Sequence, residues 1–184
     1  AGELVQAGAI GQVVQTTGMG PHRINLPTRP TWFFQRERYG GILVDIAAHQ
    51  VDQFLYYTGS KQAEVLSAVV ANYNHPQFAE LEDFGEMLLR GDGGTGYMRV
   101  DWFTPDGLPV WGDGRLTLLG SEGTIEIRKY IDLAGRPGGS HLFLTDAHGV
   151  PYIPCEGLEC PYAAQLLDDM RERSETTMPQ AHVF

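Results

Sequence analysis

The sequence predicts an α+β domain in which one large, mostly antiparallel sheet carries helices on one face and leaves the other face open. Two observations lead to this class. Segments with helical spacing of apolar residues lie towards the two ends of the chain, and the long stretch between them consists of strand-like segments joined by glycine-rich turns. Strands joined by short hairpins are antiparallel neighbours, which is typical of α+β domains. We expect residues 1–184 to form a single domain.

Helices are predicted where apolar residues recur at helical spacing or where a glycine can end a helix. The first predicted helix stops at Gly8 and the second stops before Gly59, because glycine tolerates the left-handed backbone that commonly follows a helix. The predicted helices are residues 1–7, 42–57, 161–173 and a short one beginning near Met178.

Strands are predicted wherever the periodicity changes to two and turn residues punctuate the chain. Residues 91–94 and 120–123 are glycine-rich hairpin turns, and residues 146–149 indicate a third. Residues 18–30, rich in glycine and proline, are expected to form a loop. The predicted strands are residues 10–17, 64–73, 84–90, 95–103, 115–119, 124–129, 142–145 and 150–153.

Two of these strands, residues 64–70 and 84–89, carry apolar side chains on both alternations. A strand that is apolar on both sides is usually covered on both sides. The pattern therefore indicates either an interface between subunits of a homo-oligomer, formed through the open sheet face, or a strand covered within its own core.

The net charge of −10 makes nucleic acid and anionic membrane surfaces unfavourable partners. No apolar run approaches the roughly 20 residues that span a bilayer, and no leader segment precedes the first predicted helix. We therefore expect a cytoplasmic protein with no nucleic-acid and no membrane partner. Cys155 and Cys160 lack further ligands at zinc spacing and are expected to be free thiols.

The candidate catalytic residues are Asp45 and His49, in the apolar segment that follows Gly40 and Gly41. On a helix these two residues are four apart, so they project from the same side. A buried carboxylate beside an imidazole fixes the orientation of the ring and favours its protonated form, which suits a general acid or base. The alternative is a structural hydrogen bond inside an apolar helix.

Two further segments carry candidate substrate-binding residues. His22 and Arg23 follow a glycine-rich strand end and offer hydrogen-bond donors, although a plain turn with a solvated basic pair would look the same. Trp111, Asp113 and Arg115 combine an aromatic face for sugar C–H groups with polar groups for hydroxyls, although an ordinary hairpin rim is the simpler interpretation.

A metal site is not expected, because no histidine pairs with another ligand at metal spacing. Asp45, His49 and His22 could in principle be three ligands of a metal-dependent lyase or hydrolase, but no spacing supports this specifically. The remaining histidines are expected to be solvated or to act as caps; they are His75, His141, His148 and His182.

Several segments together resemble the C-terminal domain of the glucose–fructose oxidoreductase, inositol dehydrogenase and rhizopine-catabolism (Gfo/Idh/MocA) family. Residues 40–49 are similar to its G-G-x-L-x-D-x-x-x-H signature, and residues 118–126 to its L-x-G-[ST]-x-G-x-[IL] hairpin. Residues 7–14 resemble the link between the two domains of the family, and residues 162–184 its closing helices.

The resemblance implies a ferredoxin-like-derived fold and the oxidation of a CH–OH group of a sugar, polyol or related small molecule with NAD or NADP. It implies that His49 is the catalytic histidine and that Asp45 assists it or contacts the substrate. The catalytic lysine and most of the cofactor site of the family belong to an N-terminal dinucleotide-binding (Rossmann) domain, which is absent from this sequence, so the domain by itself is expected to be inactive. The alternative is a non-catalytic module of the same fold that binds a ligand or dimerises.

Overall fold

The computed structural model describes residues 1–155 and 157–183, which form two compact units, residues 1–154 and the described residues from 155 onward. The helices of the first unit are α1 Gly2–Gln6, α2 Arg36–Tyr39, α3 Ile42–Asp45 and α4 Ala47–Thr58. Its strands are β1 Val13–Pro21, β2 Ala63–Ala71, β3 Phe84–Gly91, β4 Thr95–Asp101, β5 Arg115–Gly120, β6 Thr124–Arg128, β7 His141–Thr145 and β8 Tyr152–Pro154. The second unit contains α5 Tyr162–Glu172 and α6 Gln180–Val183.

The strands form one 8-stranded sheet in the order β2-β3-β4-β1-β5-β6-β7-β8. β1 and β4 run parallel, and every other neighbouring pair is antiparallel. The three predicted hairpins are present, as β3–β4, β5–β6 and β7–β8. The predicted α+β class, with one large and mostly antiparallel sheet, is confirmed.

The core lies between α4 and the central strands β1 and β4, on one face of the sheet. Phe54 of α4 is fully buried, and it contacts the sheet where Gly91 and Gly96 carry no side chain. Along β3 and β4 buried and half-buried residues alternate, as expected for a sheet with one covered face. This packing fixes the position of the first turn of α4 above the end of β1.

The predicted helix over residues 42–57 is wrong in one respect, because the structure breaks it into α3 and α4 at Ile46. The backbone of Ile46 has φ −112° and ψ −47°, and its side chain is buried. Neither glycine nor proline causes the break, so periodicity alone does not reveal it. The break matters for function since Asp45 ends α3 and His49 lies in the first turn of α4.

The first strand also differs from its prediction. It begins at Val13 and continues to Pro21, so residues 18–21, expected in a loop, lie in β1. A Cβ at Gly18 would lie 2.9 Å from Cγ of Gln50, and one at Gly20 would lie 2.8 Å from its Nε2. The two glycines therefore let α4 lie close against the strand, an arrangement that local propensity does not anticipate.

Strand β2 is at the edge of the sheet, and its apolar side chains are exposed, Val65 at 58% and Val69 at 44%. Among the described residues no side chain buries this strand, so of the two predicted explanations the burial of β2 within its own core is not observed. In β3, by contrast, the same pattern alternates between buried and half-buried positions.

The segment from Gly91 to Gly96 has the spacing G-x-G-x-x-G, but it connects β3 to β4 through a hairpin whose Gly91 N–H donates to the Gly94 carbonyl at 2.8 Å. A dinucleotide-binding loop needs the same glycines between a strand and the N-terminus of a helix. The segment is therefore a turn, and the described chain has no such pyrophosphate site here.

Two histidines expected to be solvated or capping are buried instead. Nδ1 of His75 lies 2.8 Å from the Asp83 carboxylate, which also accepts the N–H groups of Tyr73 and Asn74. His141 is fully buried in β7, with Nδ1 at 3.0 Å from the Tyr152 hydroxyl. In both residues a tertiary partner binds Nδ1, whereas the buried Nε2 of His141 has no hydrogen-bond partner within the described residues.

Candidate active site

Two adjoining cavities lie beside the N-terminal end of α4. The larger, which we call the main cavity, measures about 510 Å³, and the smaller, which we call the side cavity, measures about 260 Å³. His22, His49 and Trp111 line both cavities. The elements that meet here are the end of β1, the α3–α4 break and the segment before β5.

The turn that precedes α3 fixes the position of Asp45. Gly40 and Gly41 both have positive φ, 83° and 92°, which glycine adopts without strain. A Cβ at Gly41 would lie 2.7 Å from a carboxylate oxygen of Glu82, which accepts the Ile42 N–H at 2.9 Å. The glycine pair therefore lets protein side chains come close, and the Glu82 carboxylate caps the first N–H of α3.

Asp45 and His49 both line the side cavity, but their relation differs from the predicted one. Both side chains are exposed, and within the described chain no direct hydrogen bond joins the carboxylate to the imidazole. The expected buried pair on one continuous helix is therefore wrong, because the break at Ile46 separates the two residues. Asp45 and His49 nevertheless line the same side cavity.

The surroundings of Asp45 shift its proton affinity. Loss of water contact raises the pKa of the Asp45 carboxyl above its usual value, and attraction to Arg29, His22 and His49 opposes the shift without cancelling it. Asp45 is therefore easier to protonate than an ordinary surface aspartate, which suits a group that exchanges protons with a substrate or a neighbouring base.

The His22 side chain contacts the backbone of β1 and the ring of Trp102. Nδ1 lies 3.0 Å from the Gly20 carbonyl oxygen, and the ring meets Trp102 edge-on at 5.7 Å. A carbonyl oxygen can only accept, so Nδ1 donates and a neutral His22 keeps Nε2 as an acceptor. This tautomer suits recognition of a hydroxyl donor.

The Arg23 side chain is committed to a neighbouring loop. Its Nη2 donates to the carbonyl oxygens of Pro105, at 2.9 Å, and Leu108, and its Nε lies 3.5 Å from Asp106. Arg23 does not line either cavity. The structure thus separates Arg23 from His22, and its contacts favour a structural function over substrate binding.

The structure also divides the third predicted group. Trp111 lines both cavities and Arg115 lines the main cavity, but Asp113 lines neither. Asp113 is buried, and its carboxylate accepts the Nε of Arg115 at 2.9 Å. Asp113 therefore orients Arg115 from behind, and Arg115 is the member of the pair that a ligand in the main cavity could reach.

Sequence reasoning missed Arg29, which lines the side cavity. Its guanidinium carbon lies 4.3 Å from the ring centre of Phe33, 4.9 Å from Trp102 and 5.3 Å from Trp111. Burial lowers the pKa of Arg29, and attraction to Asp45 opposes the shift. The sequence feature that could have identified Arg29 is its position just before the aromatic residues Trp32-Phe33-Phe34, since arginine stacks on aromatic rings.

Other residues that sequence reasoning missed are Gln50, Tyr57 and Lys129, which line the main cavity. No group of three or more His, Cys, Asp or Glu side chains that could hold a metal ion occurs in the described residues, 1–155 and 157–183. Asp45, His49 and His22 therefore share a cavity without forming a metal-ligand cluster. Among the same residues, no helix has the length and apolar character needed to cross a membrane.

Comparison with known structures supports the architecture around this site. A protein of Erwinia carotovora atroseptica that carries an oxidoreductase assignment is 53% identical, with a TM-score of 0.94 over 99% of this chain and 55% of its own. The aldose-aldose oxidoreductase of Caulobacter crescentus, solved with glycerol, is 21% identical, with a TM-score of 0.74 over 99% of this chain and 52% of its own. An oxidoreductase of Agrobacterium radiobacter, solved with NAD⁺, L-tartaric acid and magnesium, is 20% identical, with a TM-score of 0.72 over 98% of this chain and 54% of its own.

The chain spans about half the length of these structures. A search of curated proteins gives no match. The model of the GFO/IDH/MocA C-terminal domain matches residues 1–126, which is more than half of the chain. The resemblance found in the sequence is thereby confirmed, and the chain belongs to the Gfo/Idh/MocA family of oxidoreductases, as a C-terminal domain.

Proposed function

We propose that this chain is the substrate-binding domain of an NAD- or NADP-dependent oxidoreductase that acts on the CH–OH group of a sugar, polyol or related small molecule. The observation that carries the proposal is that His49, Asp45 and His22 all line the side cavity, and that His49 and His22 also line the adjoining main cavity. Relatives of the same fold include an aldose-aldose oxidoreductase and an oxidoreductase bound to NAD⁺, which supports the reaction class.

In this proposal His49 accepts the proton of the reacting hydroxyl. Its exposed imidazole lines both cavities, so a hydroxyl in either can come within hydrogen-bond reach. Asp45 balances the charge that His49 gains, since the two groups already attract each other across the side cavity. The acceptor Nε2 of His22 holds a second hydroxyl of the substrate.

The remaining polar and aromatic groups hold the body of the substrate. Trp111 offers an aromatic face to C–H groups, and Arg115 offers donors to hydroxyl oxygens. Asp113 and Arg23 are assigned supporting functions, because their side chains bind Arg115 and the loop at residues 105–108 respectively.

The nicotinamide, when bound, accepts the hydride that leaves the carbinol carbon. The glycine run at Gly91–Gly96 forms a hairpin and therefore does not provide the strand-to-helix loop that binds a pyrophosphate. We therefore propose that a separate N-terminal dinucleotide-binding domain of the same protein holds most of the NAD or NADP. The relatives, about twice as long as this chain, support a second domain.

We propose a cytoplasmic homo-oligomer with no nucleic-acid or membrane partner. The acidic net charge of −10 supports the exclusion of polyanionic partners. The half-buried side chains on the sheet face opposite α4 and the exposed apolar side chains of β2 support association between copies of the chain.

The decisive experiment joins the chain to its dinucleotide-binding domain and measures NAD and NADP reduction with a panel of sugars and polyols. We expect His49→Ala to lower kcat by about 10²–10⁴-fold, the usual contribution of a general base. His148→Ala is the matched control, because His148 is exposed in the turn before β8, and it should leave kcat unchanged. Equal turnover by the His49→Ala and control variants would refute the base assignment. No reduction of either cofactor by the joined protein would favour a ligand-binding or dimerisation module.

A further inference from the structure

The Arg29 guanidinium is held in place by stacking and keeps most of its hydrogen-bonding capacity unused. Nε donates to the Ile24 carbonyl at 2.8 Å, and Phe33, Trp102 and Trp111 surround the group within 5.3 Å. The Nη atoms make no hydrogen bond or ion pair to any residue in the described part of the chain. An arginine presents five N–H donors, so four of them have no partner within the described residues.

Arg29 lines the side cavity together with His22 and His49. Asp45 attracts Arg29 electrostatically, yet the two side chains form no ion pair within the described residues. A partly desolvated guanidinium without a bound anion is an unfavourable state that an anionic ligand would relieve.

Other charged groups line the neighbouring main cavity, in a chain whose net charge is −10. Lys129, Asp52 and Arg115 are among its lining residues, and Asp113 binds Arg115. The Arg29 guanidinium therefore offers a local attraction for an anion on a protein whose net charge repels one.

We propose that Arg29 binds a carboxylate of the substrate in the side cavity, so that the substrate is a polyhydroxylated acid such as an aldonic or uronic acid. The planar guanidinium fork matches a carboxylate with two parallel hydrogen bonds. The side cavity, at about 260 Å³, accommodates the acid end, and the main cavity, at about 510 Å³, accommodates the hydroxylated chain. This inference rests on the proposed function, because it names the substrate class of the same site.

The test compares the binding of D-gluconate and D-glucitol to the 184-residue chain, with the Trp111 indole and the His22 and His49 amides followed by NMR. The two probes share one carbon chain and differ in a carboxylate against a hydroxymethyl group. We expect gluconate to bind more tightly, and Arg29→Gln to weaken gluconate about 10- to 100-fold with no change for glucitol, the effect of losing a charge-assisted bidentate contact.

Arg38→Gln is the matched control, since Arg38 is exposed in α2 and lines neither cavity, and it changes the net charge equally. Arg29→Lys keeps the positive charge but removes the planar guanidinium that forms two parallel hydrogen bonds. We expect this variant to bind gluconate more weakly. It replaces Arg29→Gln as the test if Arg29→Gln does not fold. Equal affinity for the two probes, or an equal loss for both in Arg29→Gln, would overturn the proposal. Tighter Arg29-dependent binding of D-glucitol 6-phosphate would overturn the assignment to a carboxylate.

The outcome is separable from that of the redox experiment. Arg29-dependent gluconate binding without any cofactor reduction in the joined protein would leave the anion site standing and remove the oxidoreductase proposal. Cofactor reduction by the joined protein with no preference for an acidic substrate would support the oxidoreductase proposal and remove the anion site.

Discussion

Asp45 illustrates how a single side chain depends on its neighbours across the cavity. Arg29 comes from the loop after β1, His22 directly follows that strand, and His49 lies in α4. Each of the three lowers the pKa of Asp45, which burial raises. A carboxyl whose folded pKa lies above its unfolded pKa binds more protons in the folded state, so the stability of the protein falls as pH rises through that window. Above the folded pKa the ionised Asp45 therefore reduces stability.

We expect Asp45→Asn to raise the thermal midpoint at neutral pH by no more than about 2 °C, a small gain since the side chain is partly open to solvent. The gain should disappear at about pH 3, where Asp45 is protonated in both folded and unfolded chains. Differential scanning calorimetry at the two pH values measures it. Asp146→Asn is the control, because Asp146 does not share the surroundings of Asp45. A rise in the thermal midpoint at neutral pH in Asp146→Asn and not in Asp45→Asn would contradict the explanation.

At the scale of elements, the site depends on how closely α4 approaches the sheet. Gly18 and Gly20 of β1 leave room for Gln50, and Gly91 and Gly96 leave room for the Phe54 ring. Cβ atoms at these positions would displace the helix whose first turn carries His49. The glycines of the strands thus control the geometry of the cavity from beneath it.

Gly96→Ala tests this contact, because its Cβ would lie 2.7 Å from Cδ2 of Phe54, a fully buried ring. Overpacking of this kind is expected to reduce the free energy of unfolding by about 1–3 kcal/mol. Urea denaturation measures it. Gly107→Ala is the control, as nothing lies within 4 Å of a Cβ there and its φ is not positive. A loss in the control equal to that at Gly96 would exclude packing as the cause.

At the scale of the whole molecule, the sheet face opposite α4 is the surface that remains for association. Its central row places Thr17 of β1 between Tyr97 of β4 and Thr117 of β5. These side chains are half-buried, in contrast to the buried positions that alternate with them on the other face. A second copy of the chain is the proposed cover.

We expect the chain to sediment as a dimer or larger oligomer and Thr17→Arg to dissociate it, since two introduced charges would meet near the centre of a symmetric interface. Analytical ultracentrifugation measures the state, and an unchanged amide NMR or circular dichroism spectrum would show that the fold is retained. Gln62→Arg, an exposed position before β2, carries the same charge change as a control. A monomeric parent chain, or equal dissociation by both variants, would refute association through this face.

The sequence by itself determined the α+β class, the three hairpins, the family and the acidic surface, because turn chemistry, periodicity and net charge are local properties of the chain. It also selected His22, Asp45, His49, Trp111 and Arg115, which the structure gathers around two cavities. Their functions stay predictions until the variants are measured.

Only the tertiary structure decided the break at Ile46, the extension of β1 through Gly18 and Gly20, and the diversion of Arg23 and Asp113 into supporting contacts. It alone revealed Arg29, whose ring neighbours lie up to 82 residues further along the chain, as Trp111 does. The physical reason is shared by all of these features. Each depends on which side chains the sheet brings together from distant segments, and no local pattern of residues records that proximity.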